Sequence, residues 1–164
     1  MAVILSGAIS CTAADTCSFS KIDINPLDRK INDTYYGTLD FLEVRFNNER
    51  YDGEVSVFPE PPLVVINNKR KTRCTIDGGI WVRNSVFASG DKSTIATLEF
   101  SGSNEHLRFY NTVSCEKTAE VDLSNARWKL EGDKLQILRN KLQNTVSTSY
   151  QINSKCKPEI VQKK

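Results

Sequence analysis

Short runs in which hydrophobic and polar residues alternate recur along most of the chain. A period of two, rich in β-branched and aromatic residues, predicts β-strands with one buried face. Turn residues such as Asp52-Gly53, Gly78-Gly79 and Gly132-Asp133 separate the runs. The runs are Thr38–Phe46, Glu54–Phe58, Leu63–Ile66, Gly79–Phe87, Thr94–Phe100, His106–Thr112, Ala119–Leu123, Arg127–Leu130 and Leu135–Leu138.

Strands repeated at a spacing of about ten residues are typical of an antiparallel β-meander. We therefore expect an all-β fold of about 8–10 strands, arranged as a small barrel or as blade-like or trefoil-like repeats. Two segments carry a competing helical signal. Asn25-Pro26 is typical of a helix N-cap followed by proline, which predicts a turn or two of helix over Pro26–Ile31. Asp133–Gln143 stays ambiguous between strand and helix because its leucines have helical spacing.

The chain begins with an apolar run, Ala2–Ile9, followed by small residues up to Ala14. This order is typical of an export signal, so we expect residues 1–14 to be removed and residues 15–164 to form a single β-rich domain. We expect the signal to be truncated, because no Lys or Arg precedes the apolar run. Two alternatives stay open: the run is a buried first strand, or Cys11 is lipidated. No other stretch reaches the ~20 apolar residues of a membrane span.

Removal of the signal leaves an even number of cysteines, which are Cys17, Cys74, Cys115 and Cys156. An even number in an exported protein predicts two disulfides, and three pairings are open. Neighbouring cysteines in this set are more than 40 residues apart. Because metal sites use close pairs such as C-x-x-C, we expect no metal site and no cofactor.

The last three of these cysteines are evenly spaced, 41 residues apart. At nearly the same period, Ser89-Gly-Asp-Lys92 recurs as Glu131-Gly-Asp-Lys134. The segment Ser85–Leu123 resembles one blade of a β-propeller, with a turn, a hairpin and an outgoing strand. The resemblance covers about a quarter of the chain. Three repeats are too few for a closed propeller, and a chance spacing is the alternative.

Charge and motif content narrow the function. The 22 Lys and Arg nearly balance the 20 Asp and Glu, which argues against a nucleic-acid or membrane-surface role. His106 is the one histidine, and Glu105 beside it would point to the opposite face of a strand, so the two form no acid–base pair. No nucleophile elbow or phosphate-binding loop is present. Nothing in the sequence brings its acidic residues, such as Asp40, Glu43, Asp91 and Glu99, into a carboxylate pair.

Taken together, these features favour a binding protein over an enzyme. In size, export and lack of catalytic motifs, the chain resembles small exported bacterial immunity and inhibitor proteins. The resemblance implies a periplasmic or secreted protein that blocks a protein partner, such as a toxin or a cell-wall hydrolase, and that uses no catalytic residue. The expected contact residues are Asp91, Glu105, His106, Lys69, Arg70 and Lys71. The alternative is a secreted hydrolase or carbohydrate-binding domain that uses acidic residues and exposed aromatics. The oligomeric state stays open.

Overall fold

The computed structural model describes residues 17–31, 33–48, 53–59, 61–141 and 144–163, and every regular element within these ranges is a β-strand. The prediction of an all-β fold is confirmed. The expected export signal lies outside the described residues. The strands are β1 Phe19–Lys21, β2 Asn25–Pro26, β3 Thr34–Leu39, β4 Leu42–Asn47, β5 Val57–Pro59, β6 Leu63–Asn67, β7 Thr72–Ile76, β8 Ile80–Ser89, β9 Thr94–Ser101, β10 Asn104–Asn111, β11 Lys117–Asp122, β12 Ala126–Glu131, β13 Lys134–Lys141, β14 Asn144–Ile152 and β15 Pro158–Lys163.

The strands form three antiparallel sheets, each containing a four-stranded meander. The N-terminal sheet has the order β2-β3-β4-β6-β7, and the C-terminal sheet has the order β12-β13-β14-β15. The central sheet has the order β1-β8-β9-β10-β11, and β5 also pairs with β8. Separate sheets, each a meander, agree with the blade-like form of the prediction. The strand count exceeds the expected one partly because β1 and β2 have only two or three residues, too few to show an alternating pattern.

Two hydrophobic clusters place the central sheet between the other two. One cluster joins Phe46, Val65 and other residues of the N-terminal sheet to Trp81 and Ile95 of the central sheet. The other joins Ala96, Leu98, Leu107 and Phe109 of the central sheet to Leu135 and Ile137 of the C-terminal sheet. Neighbours such as Ile95 and Ala96 therefore face opposite clusters, as the pleat of a strand requires. Residues Thr94–Glu99 of β9 are all buried because both faces of this strand are covered.

The structure resolves both segments that carried a helical signal. The prediction of helix over Pro26–Ile31 is wrong, since Asn25 and Pro26 pair with β3 and a turn follows them. Proline is tolerated there because β2 is an edge strand that needs no second ladder. Lys134–Lys141 is a strand, in which Leu135 and Ile137 are buried while Leu138 is exposed. No helix among the described residues is long and apolar enough to cross a membrane.

The four cysteines form the two predicted disulfides, Cys17–Cys156 and Cys74–Cys115. Cys115 and Cys156 occupy equivalent places, in the loops before the fourth strands of the central and C-terminal meanders. The two Gly-Asp-Lys motifs likewise lie at the first turns of these two meanders. Cys74 lies within β7 instead, so the even spacing reflects two matching meanders and not three.

Candidate functional site

Four hairpin turns from two sheets surround a cavity of about 420 Å³, which we call the loop pocket. The N-terminal sheet contributes Phe41 from the β3–β4 turn and Lys69 and Arg70 from the β6–β7 turn. The central sheet contributes Asp91–Ser93 from the β8–β9 turn and Asn111–Val113, which lead into the β10–β11 loop. Because the central sheet packs on the N-terminal sheet, their turns at this end meet. A volume of this size is typical of a site for a small ligand or a single inserted side chain.

Buried polar groups form the floor of the loop pocket. Asn67 donates from Nδ2 to Thr112 Oγ1 at 3.3 Å, and Thr112 Oγ1 donates to the Lys92 carbonyl oxygen at 2.7 Å. Asn67 Oδ1 accepts a hydrogen bond from the Arg70 backbone N–H at 3.0 Å. The side chains thus tie three of the four turns together. Asn67 and Thr112 are both almost inaccessible to solvent, as the floor of a pocket requires.

Two charged residues of the β8–β9 turn are satisfied internally. Asp91 Oδ1 accepts hydrogen bonds from Ser89 Oγ, Ser93 N and Ser93 Oγ at 2.7–3.0 Å. Partial desolvation raises the pKa of Asp91, but these hydrogen bonds outweigh it and hold the pKa below its ordinary value. Lys92 Nζ lies 3.0 Å from Asp40 Oδ2 and donates to the Gly90 carbonyl oxygen at 2.8 Å. Asp91 therefore stays ionised, and Lys92 is already neutralised.

The β6–β7 turn, on the opposite side of the loop pocket, carries positive charges that acidic partners among the described residues do not neutralise. Lys69 Nζ lies 5.2 Å from the centre of the Phe41 ring, a cation–π contact that leaves the ammonium group accessible. Arg70 and Lys71 are exposed, and neither side chain has an ion-pair or hydrogen-bond partner in the described ranges. The lip formed by the β6–β7 turn therefore carries unneutralised positive charge.

The opposite end of the central sheet presents an exposed turn between two paired strands, which we call the β9–β10 hairpin. Its strands are paired without a break from Thr94↔Asn111 to Ser101↔Asn104. The two residues between them include Gly102, whose φ of 63° suits the first central position of a type II′ turn. All four residues from Ser101 to Asn104 are exposed. The eight residues of β9 separate this turn from the loop pocket, and its first and last residues are about 24 Å apart.

A charged network braces the stem of this hairpin. The buried Glu99 accepts hydrogen bonds from Thr97 Oγ1, Tyr110 OH and Arg108 Nη1 at 2.6–2.8 Å. Arg108 Nε donates to Glu120 Oε2 at 2.7 Å. Desolvation lowers the pKa of Arg108, but its bonds to both carboxylates raise it above the ordinary value overall. The Arg108 guanidinium bridges the carboxylates of Glu99 and Glu120. The two acids are therefore not a free carboxylate pair of the kind that glycoside hydrolysis needs.

His106 belongs to the same face of β10 as Arg108. Its Nδ1 lies 3.4 Å from Glu120 Oε1, although the geometry there does not meet that of a hydrogen bond. The side chain of Glu105 belongs to the other face. Its backbone carbonyl oxygen accepts a hydrogen bond from Leu123 N at 2.8 Å, and its backbone N–H donates to Ser124 Oγ at 3.1 Å. The two residues are therefore separated by the strand, as their adjacency predicts.

The six contact residues expected from the sequence fall at two places. Lys69, Arg70 and Asp91 line the loop pocket, with Lys71 next to it in the same turn. Glu105 and His106 lie in the stem of the β9–β10 hairpin. Sequence reasoning missed Asn67, Thr112 and Arg108. Their roles depend on which strands are neighbours, and a single sequence shows no signal of that.

One cluster resembles a metal site in composition only. The side chains of Cys17, Asp91 and Cys156 lie within 4.8 Å of one another. The two sulfur atoms are bonded to each other, so neither is available as a thiolate ligand.

Comparison with known proteins identifies the family. The family model of the immune protein Tsi1 matches residues 17–159, which include all fifteen strands except the end of β15. The immune protein Tsi1 of Pseudomonas aeruginosa (strain PAO1) is 35% identical over 132 residues, covering 79% of this chain and 76% of that protein. This chain belongs to the Tsi1 immune protein family. Membership of the Tsi1 family makes it an immunity protein, which agrees with the expectation of a binding protein over an enzyme.

Proposed function

We propose that this chain is an exported immunity protein that neutralises a cell-wall-degrading toxin by inserting the β9–β10 hairpin into the toxin's active-site cleft. The observation that carries the proposal is the shape of this hairpin, an exposed two-residue turn on a fully paired eight-residue stem. Enzyme active sites are concave, so a protein that fills one needs a convex element. The loop pocket is concave and does not meet that requirement.

The stem of the hairpin is preorganised, which favours tight binding. Leu98 and Leu107 face each other across the strands and pack in the core with the C-terminal sheet. The hydrogen bond from Leu123 N to the Glu105 carbonyl oxygen and the one from Glu105 N to Ser124 Oγ hold Glu105 to the β11–β12 turn. A loop already fixed in its bound shape loses little conformational entropy on binding. Glu105 and His106 then flank the inserted turn as polar contacts.

Two features support export to the periplasm. The disulfides Cys17–Cys156 and Cys74–Cys115 persist in an oxidising compartment, which the bacterial periplasm is and the cytosol is not. A toxin that attacks the cell wall acts in that compartment, so an immunity protein against it must be there as well. The expected export signal in residues 1–14 is consistent with this location.

The test is a bulky substitution at the tip of the hairpin. Ser103 is exposed, and its side chain makes no hydrogen bond in the described structure, so Ser103→Arg should leave the fold intact. We expect it to weaken binding of the cell-wall-degrading toxin by about 30-fold or more, the loss of one hot spot of about 2 kcal/mol. Calorimetry measures the affinity, and release of fragments from peptidoglycan measures the remaining toxin activity.

The matched control is Ser154→Arg, the same change in an exposed turn between β14 and β15. This turn lies at the other end of the molecule, and we expect toxin binding to match that of the unmodified protein. Equal affinity for Ser103→Arg and Ser154→Arg would refute insertion of the hairpin. Binding without any loss of peptidoglycan cleavage would refute inhibition.

A further inference from the structure

We infer that the loop pocket is a second recognition site, which binds the carboxylate side chain of an acidic peptide segment. It lies about 24 Å from the β9–β10 hairpin, so it does not overlap the surface proposed to meet the toxin. The inference rests on the charge of the pocket, on its polar floor and on the rigidity of its walls.

The positive charge at the loop pocket favours an anionic ligand. At the opposite side of the pocket, Asp40 neutralises Lys92, and Asp91 keeps one negative charge, which the three cations of the β6–β7 turn outnumber. Arg70 has no acidic partner in the described part of the chain. A guanidinium offers paired N–H donors in the geometry of a carboxylate, which makes an anionic side chain its preferred partner.

Lys69 adds a second, positioned cation beside Arg70. The Phe41 ring, 5.2 Å from Nζ, restricts this side chain while leaving its three N–H donors available. The buried floor offers a further donor. Asn67 Nδ2 carries two hydrogens, and Thr112 accepts only one of them. A carboxylate in the pocket therefore meets a guanidinium and an ammonium group above a polar floor that includes the Asn67 amide.

The walls of the pocket are fixed before any ligand enters. The disulfide Cys74–Cys115 links β7, which follows the Arg70 lip, to the loop that follows Asn111. Lys71 and Lys92 hold φ values of 54° and 61°, a left-handed conformation that is uncommon for lysine. Such conformations persist where the surrounding structure enforces them, and they concentrate at binding sites. The cavity volume of about 420 Å³ accommodates one side chain with its flanking backbone.

The experiment compares two blocked tripeptides, N-acetyl-Gly-Glu-Gly-amide and its glutamine counterpart, titrated into the whole ¹⁵N-labelled protein. We expect saturable amide shifts for the glutamate peptide at Asn67–Arg70 and Asn111–Val113, and none at those amides for the glutamine peptide. Arg70→Gln should weaken the glutamate peptide about tenfold or more, the effect of one charged hydrogen bond. The spectrum of each variant also shows whether it is folded.

Arg127→Gln is the matched control, because Arg127 is exposed on β12, far from the pocket, and the change removes the same charge. It should bind the glutamate peptide like the unmodified protein. Equal shifts from both peptides, no shifts from the glutamate peptide, or equal weakening by Arg70→Gln and Arg127→Gln would overturn the inference. No toxin is present in this experiment, so its outcome is independent of the proposed inhibition.

Discussion

The two ends of the central sheet differ in how they are held together. At the loop-pocket end, four turns from two sheets meet, and a disulfide links those two sheets. At the other end, the turn of the β9–β10 hairpin is exposed, and ion pairs and hydrogen bonds brace its stem. A covalent bond reinforces the hydrogen bonds around the loop pocket, whereas the hairpin stem is held without one. The comparison teaches that a single rigid sheet can support two recognition surfaces of opposite shape.

Removal of the Cys74–Cys115 disulfide should give the largest difference between the loop pocket and the β9–β10 hairpin. Replacing Cys74 and Cys115 together by serine opens a loop of 41 residues, and chain entropy predicts a loss of about 4 kcal/mol in the free energy of unfolding. We expect the loop pocket to lose its glutamate peptide while the hairpin still binds toxin. Urea unfolding gives the stability, and the two binding measurements follow under conditions where the variant is folded. Loss of toxin binding from the folded variant would contradict the separation.

Glu99 tests the electrostatic brace of the hairpin stem. Glu99→Gln leaves Tyr110 and Arg108 with an imperfect partner at a buried position, so we expect a loss of about 3 kcal/mol in stability. The control is Glu131→Gln, which breaks only the exposed pair with Lys129 and should cost less than about 0.5 kcal/mol. Equal midpoints of chemical unfolding for the two variants would show that the network contributes nothing.

Two turn glycines at opposite ends of β9 provide a finer comparison. Gly102→Ala forces alanine to a φ of 63°, which should cost about 1–2 kcal/mol and distort the tip of the hairpin. Gly90 lies in the β8–β9 turn with no positive φ, and an added Cβ there meets only an ordinary contact at 3.7 Å. Gly90→Ala should therefore be neutral or slightly stabilising. Thermal unfolding measures the stability of both variants. An equal change in the two would contradict the role given to the positive φ of Gly102.

Acid should reduce, by a small amount, the stability that Glu120 and Asp122 contribute around the hairpin stem. The hydrogen bond from Lys117 is the main cause that lowers the pKa of Glu120, and hydrogen bonds donated by Ser124 are the main cause that lowers the pKa of Asp122. Because both pKa values are lower in the folded state, these groups stabilise the fold above their ordinary values of 4.5 and 3.8. The contribution is lost as the pH falls through the lower, folded values.

A matched variant measures this dependence. Both carboxylates are partly exposed, so the expected difference is only a few tenths of a kcal/mol. Unfolding of Glu120→Gln should show a shallower loss of stability between pH 5 and the acid limit than the unmodified protein. A steeper loss of stability in Glu120→Gln than in the unmodified protein would contradict a lowered pKa of Glu120 in the folded state.

Much of the fold follows from the sequence because period-two patterns and turn residues are local. The run Thr94–Phe100 predicts β9, and the even number of cysteines predicts two disulfides. Their pairing does not follow, because it depends on how the sheets pack. The helical turn expected after Asn25-Pro26 failed because pairing with β3 outweighed a local capping signal.

The candidate site follows less well, because it is assembled across strands. Lys69 and Arg70 stand out in the sequence as a basic turn, yet their pocket requires Thr112, which lies 45 residues from Asn67. Arg108 gains its role from strand register, which puts it beside Glu120 on the next strand. Single-residue chemistry can therefore suggest which residues bind, and only packing shows which of them act together.

Hydrogen–deuterium exchange of this protein, alone and with the toxin that it is proposed to neutralise, tests most directly which end meets the partner. We predict that toxin slows exchange of the backbone amides at residues 100–106, around the tip of the β9–β10 hairpin. Amides at residues 67–71 and 111–115, around the loop pocket, should exchange as in the free protein. Protection confined to these pocket residues, with none at the hairpin, would contradict the proposed mode of inhibition.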